Sequence, residues 1–262
     1  MPSTSVTITT PAGRCPATLH TADTPFPRPA VIMYPDAGGV REAFHAMAQT
    51  LADFSYTVLL PDLYYRYGAW RPFDMSTVWT NDAERERLMA MAASLAPEML
   101  ASDASVFADF LGQDSRVSES EIGVCGYCGG GRAAFIVGGR LPDRIIAVAA
   151  IHPGGLVTDA DDSAHLLASQ MATSTVYIGR AHNDPLFTSQ NADVLDRALS
   201  DAHVSHTIET YSAAHGFAVA DGAHYDADAA KQHWTALKRL FDNALPVGPL
   251  GRKTQRTPLF DR

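Results

Sequence analysis

The stretch Ile122-Gly123-Val124-Cys125-Gly126-Tyr127-Cys128-Gly129-Gly130-Gly131-Arg132 decides how the rest of the chain reads. In it an apolar run meets a glycine cluster and then the helix-compatible Ala133-Ala134-Phe135-Ile136. A strand that turns at once into a helix needs small residues on both sides of the turning residue, and Gly126 and Gly129-Gly130 flank Cys128 in this way. The pattern is that of a nucleophile elbow, in which a strained turn lifts a nucleophile above a parallel sheet with backbone N–H groups facing the reacting carbonyl. The usual serine hydroxyl is here a thiol. Gly126-x-x-Gly129 fits neither the dinucleotide fingerprint nor the Walker pattern with its Lys-Ser/Thr, which sets phosphate binding aside. Cys125-Gly126-Tyr127-Cys128 is also a C-x-x-C at the start of a helix, the setting of a thiol-disulfide oxidoreductase. Cys125 closes the apolar run, however, and reads as a small buried side chain.

Outward from this turn, 262 residues suffice to bury about three quarters of the unfolded surface in one α/β domain, so no disulfide staples are needed. Three cysteines, an odd number, and a start without a charged-then-apolar leader point to a reducing cytoplasm. A formal charge of −9 with no basic stripe argues against a nucleic-acid partner. No apolar stretch approaches the length of a membrane span. The histidines lack H-E-x-x-H or similar spacing, so neither a metal nor another cofactor is expected. The chain is expected to act alone or as a homodimer.

Strands and helices alternate along the chain. Val6 to Thr10 and Cys15 to His20 read as an antiparallel hairpin at the sheet edge, with Pro11-Ala12-Gly13-Arg14 as its turn. Ala30 to Tyr34 and Tyr56 to Leu60 are apolar enough for strands covered on both faces, and Arg144 to Ala150, Ser174 to Gly179 and Val204 to Tyr211 read as further strands. Helices are predicted over Glu42 to Phe54, Asn81 to Leu111 with a break or kink at Pro97, Ser189 to Ala202, and Ala227 to Ala244. Thr158 to Thr173 reads as a loop with a partial helix. The aromatic segment Tyr64 to Phe73 reads either as a pocket mouth or as loop anchoring. A polar tail begins at about residue 246.

This alternation predicts a mostly parallel sheet with helices on both faces and functional groups at the carboxyl ends of its strands. Cys128, Asp184 and His215 fall at such ends in the order nucleophile, acid, base, which is the chain order of an α/β-hydrolase triad. His215 has an unperturbed pKa near neutrality, so it is suited to take the thiol proton and return one to a leaving group. Asp184 would hold the second ring nitrogen and select the useful tautomer. His182 is the rival base, but it shares the acid's own loop, whereas Gly216 lets the next loop present His215. Asp193 and Asp196 fall within a helix and suit the acid's role less well. Backbone N–H groups of Ala37 and Gly129 are candidates for the oxyanion hole. Asp36, Tyr127, His152 and Phe217 are expected to line or modulate the pocket.

Gly126-Tyr127-Cys128-Gly129-Gly130, the strand-end Asp184, His215-Gly216-Phe217 and the turn Pro61-Asp62-Leu63-Tyr64 together resemble the dienelactone hydrolase family, over about Val6 to Ala244. The resemblance implies an α/β-hydrolase fold, a Cys128-Asp184-His215 triad, oxyanion donors at Ala37 and Gly129, and cleavage of a small ester or lactone. It also implies an acid at position 36 that engages the resting thiol. Asp36 is one methylene shorter than the family's usual glutamate, and ordering its own loop is the alternative. For a substrate carboxylate the chain offers Arg66, Arg71, Arg85 and Arg87, with no motif that selects among them. Two other classes stay open here: the Cys125/Cys128 oxidoreductase and a catalytically silent binding protein on a hydrolase scaffold.

Overall fold

The computed structural model describes residues 3–118 and 121–245; the tail expected from residue 246 lies outside them. An antiparallel hairpin, β1 (Ser3–Thr10) and β2 (Gly13–His20), opens the chain. Then come β3 (Ala30–Tyr34), α1 (Glu42–Asp53), β4 (Thr57–Pro61), α2 (Asp82–Ala93) and α3 (Pro97–Gln113). The second half runs β5 (Ile122–Tyr127), α4 (Gly129–Arg140), β6 (Ile145–Ile151), β7 (Thr175–Asn183), α5 (Ser189–Asp201), β8 (Ser205–Ala214) and α6 (Ala227–Ala244). The long helix expected from Asn81 is broken in two, and Pro97 is the first residue of α3. Proline suits that position because the N–H it lacks has no intrahelical acceptor there.

The strands form one sheet in the order β1-β2-β4-β3-β5-β6-β7-β8, parallel from β4 onward. Every residue of β3, β5 and β6 is buried, as a strand covered on both faces requires. Side-chain alternation divides the core. Ile32, Tyr34, Val124 and Val148 pack on the α3–α4–α5 side, while Val31, Met33, Cys125 and Tyr127 pack on the α1–α6 side. Helix α6 buries the stripe His233, Leu237, Leu240 and Phe241, the spacing of a helix face laid on a sheet.

The order in which successive strands are added reverses about β3, which has β4 on one side and β5 on the other. At such a switch point the loops leaving two neighbouring strands diverge and open a crevice. Here those loops carry Asp36-Ala37 after β3 and Cys128 after β5.

Candidate active site

The turn between β5 and α4 has no slack. A Cβ on Gly126 would lie 1.9 Å from the Gly130 carbonyl oxygen, and one on Gly130 would lie 2.2 Å from that of Pro35. Only glycine permits the strand, the helix start and the neighbouring loop to approach so closely. Between them Cys128 has φ 54° and ψ −120°, strained for a residue with a Cβ. Its N–H donates to the Ile151 carbonyl at 3.1 Å, and its own carbonyl accepts from Gly131 N–H at 2.9 Å and Gly154 N–H at 3.2 Å. These bonds hold the strained turn and leave the thiol half-exposed. Gly129 begins α4, so its N–H is among those with no intrahelical acceptor.

His215 follows β8, and its Nδ1 lies 2.7 Å from Asp184 Oδ2. Asp184, just past β7, has a fully buried side chain whose other oxygen accepts from Leu186 N–H at 2.9 Å. Both carboxylate oxygens are thereby fixed. Cys128 is a close enough neighbour of the His215 ring to favour its charged form, and with Nδ1 taken by Asp184, Nε2 is the nitrogen left for the thiol. Burial opposes charge on His215, but the bond to Asp184 and the neighbouring Cys128 outweigh it and lift its pKa to about 10. Cys128, Asp184 and His215 are thus brought together from three strand ends. His182 is exposed and its carbonyl accepts from Arg180; Asp193 and Asp196 lie on α5, where Asp196 meets His206 at 3.1 Å.

A cavity of about 330 Å³ opens over Cys128 and His215. Asp36, Ala37 and His152 line it, whereas Tyr127 and Phe217 do not, which corrects their expected place in the pocket. Alternation along β5 sends Tyr127 to the α6 side, where its hydroxyl sits 3.3 Å from His233 Nε2. Phe217 is fully buried against Tyr211 and His152, at ring separations of 4.8 and 5.3 Å. Both lie beneath the site. His152, at φ 35°, stacks edge-on to His215 at 5.1 Å, and neither of its ring nitrogens has a partner among the described residues. Burial, together with the neighbouring His215 and His233, pushes its pKa well down and keeps it neutral.

Asp36 engages Arg41 rather than the thiol: its Oδ1 and Oδ2 accept from Arg41 at 2.7 and 2.9 Å, and Oδ1 also accepts from Gly38 N–H at 2.9 Å. Arg41 reaches onward to Asp221. Neither Arg41 nor Asp221 stood out in the sequence, since they are 180 residues apart. The aromatic segment anchors the Ala37 loop: Tyr64 hydroxyl donates to the Ala37 carbonyl at 2.9 Å, and Trp70 Nε1 donates to Asp62 at 3.0 Å. The apolar cavity wall comes instead from Met75, Trp79, Leu186 and Val219. Among the described residues no group of His, Cys, Asp and Glu is placed to hold a metal, and no helix is long and apolar enough to cross a membrane.

Solved structures with this architecture include a provisionally named dienelactone hydrolase of Klebsiella pneumoniae, at 19% identity and a TM-score of 0.78, covering 92% of this chain and 98% of that one. A dienelactone hydrolase-like promiscuous phosphotriesterase from metagenomic libraries shares 22% identity at a TM-score of 0.72, covering 93% and 99%. At these identities the likeness is one of fold. In sequence, the chain is 24% identical over 220 residues to a provisionally named carboxymethylenebutenolidase of Synechocystis, covering 83% of this chain and 87% of that protein. Residues 15–245 match the dienelactone hydrolase family over nearly all of the described fold, and the chain belongs to that family.

Proposed function

We propose that this protein is a cytoplasmic, cofactor-free carboxylic ester hydrolase that cleaves a small ester or lactone through Cys128, His215 and Asp184, as one domain acting alone or as a homodimer. The observation that carries the reading is the chain of contacts from the elbow thiol to His215 and on to the buried, doubly anchored Asp184. The Cys128 thiolate attacks the carbonyl carbon while His215 Nε2 holds the proton. The tetrahedral oxyanion is held by the N–H groups of Ala37 and Gly129, fixed donors whose individual loss typically costs a factor of roughly 10²–10³ in rate. Collapse of this intermediate expels the alkoxide, which takes the proton from His215, and leaves an acyl-thioester on Cys128. Water then gives a proton to His215 and attacks the thioester, releasing the acid and restoring the thiol.

Hydrolysis of p-nitrophenyl acetate, simple lactones and a dienelactone, with mass spectrometry for a trapped acyl group, tests this. Turnover by the wild type, an acyl adduct on Cys128, and a fall of at least about 10⁴-fold in kcat for Cys128→Ala are the expected results. No turnover and no adduct would move the chain to the binding-protein reading.

A further inference from the structure

The cavity over Cys128 contains one guanidinium and no lysine among its described lining residues. That guanidinium, Arg41, has all five N–H donors committed within the protein. Nε and Nη2 donate to the two oxygens of Asp221 at 2.7 and 2.9 Å. Nη1 and Nη2 donate to the two oxygens of Asp36 at 2.7 and 2.9 Å, and Nη1 also donates to the Gly39 carbonyl at 3.2 Å. A guanidinium has five donors and no more, so none is left for a ligand. The trio Asp36–Arg41–Asp221 carries a net charge of −1.

The triad adds a second negative charge. In the reactive form, thiolate beside imidazolium, the Cys128–His215 pair is neutral overall, and Asp184 is left over. His152 supplies no cation because its surroundings hold it neutral, and His224 at the rim has its Nδ1 3.3 Å from the His215 carbonyl. The arginines available for a substrate carboxylate are engaged elsewhere: Arg66 with Asp103, Arg71 and Arg87 with Glu84, and Arg85 with Asp82. The cavity wall is otherwise apolar, with Trp79 and Leu186 each about half exposed at its edge.

Resting on the hydrolase reading above, we propose that this site takes uncharged esters or lactones with an apolar flank and discriminates against substrates that carry a carboxylate near the scissile bond. An anion entering this cavity meets a surplus of two negative charges at short range and finds no free cationic donor, in a setting where like charges repel far more than in water. An apolar group loses nothing there and gains burial against Trp79, Met75 and Leu186.

Two measurements separate this inference from the hydrolase reading beneath it. The first needs no turnover: alkylation of Cys128 by iodoacetamide and by iodoacetate, which differ essentially in charge. In each the sulfur–carbon bond forms, iodide leaves and the thiol proton is lost to the buffer. Each rate is divided by that of 2-mercaptoethanol under the same conditions, and the modified residue is identified by mass spectrometry. The neutral reagent is expected to be favoured by at least about tenfold, and the gap to narrow as added salt screens the surplus charge. Asp221→Asn, which removes one of the two surplus charges, should narrow it as well.

The second measurement compares kcat/KM for phenyl acetate with that for the monophenyl ester of succinic acid, and the uncharged ester is expected to lead by a similar factor. Equal or greater rates for the anionic reagent and the anionic ester would overturn the inference while leaving the hydrolase in place. In that event Arg132, which lines a separate cleft of about 70 Å³ behind Ala37 and Gly129, would be the responsible cation, and Arg132→Gln would abolish the preference. Preferential alkylation by iodoacetamide without hydrolysis of either ester would support the charge selectivity and sink the hydrolase.

Discussion

Cys125 and Cys128 stand three residues apart at the end of one strand, and the fold has made them different chemical groups. Cys125 is fully buried on the α1–α6 side of β5, where desolvation pushes its thiol pKa far up. Cys128 is one residue past the strand, partly exposed at the start of α4 and beside His215. A C-x-x-C spacing therefore does not make a redox pair. The backbone decides: two residues of strand followed by a reversal to positive φ put one sulfur under the sheet's cover and the other over its edge.

The largest expected effect concerns reactivity. Under native conditions a neutral alkylating reagent should modify Cys128 at least about 10³ times faster than Cys125, whose labelling should await unfolding. Cys125→Ala should retain kcat within about threefold and lose about 1 kcal/mol of stability for the vacated volume. Peptide mapping and esterase assays read both. Comparable labelling of the two, or a reversible Cys125–Cys128 disulfide that switches activity, would restore the dithiol reading.

The next effect concerns the turn that separates them. Gly126→Ala places a methyl group within 1.9 Å of the Gly130 carbonyl, a backbone atom that cannot step aside without moving α4. A loss of at least about 4 kcal/mol is expected, or no folded protein. Gly129→Ala meets nothing within 4 Å and should shift stability by no more than about 1 kcal/mol. Urea unfolding of the two variants tests whether the elbow depends on glycine at one position and merely accepts it at the other.

This turn was legible because its requirements are local: small residues at fixed offsets between an apolar run and a helical one. The order of strands and helices was legible for the same reason. The ends of β7 and β8 were not, since they run on to Asn183 and Ala214 by pairing with each other, and pairing is not written in either segment alone. Tyr127 was misplaced because an apolar run does not reveal which alternation faces which helix. The Asp36–Arg41–Asp221 cluster was invisible for a different reason. Asp36 and Arg41 are five residues apart across a glycine turn, but Asp221 comes from the loop after His215, and only the closed fold joins them.

The two sides of the β5 terminus should also titrate in opposite senses. On the Cys125 side, His233 packs under Tyr127; burial lowers its pKa from 6.5 to about 4, with a bond to the Ala230 carbonyl opposing the shift. A histidine kept neutral in the fold but free to charge when unfolded stabilises fully above pH 6.5. That stabilisation is lost as pH falls from about 6.5 to 4, amounting to about 3 kcal/mol. His152 and His20, both with lowered pKa values, push in the same direction. On the Cys128 side, His215 is raised to about 10, so its contribution is complete below pH 6.5 and is lost as pH rises toward 10. His233→Gln, which keeps a polar partner for Tyr127 but cannot take up a proton in this range, should therefore flatten the acid limb of the stability profile and leave the alkaline limb unchanged. Unfolding free energies from pH 4 to 10 for wild type and variant decide it. If the acid limbs coincide, the buried imidazole beneath the site does not govern acid stability, and the electrostatic contrast between the two sides of the strand is lost.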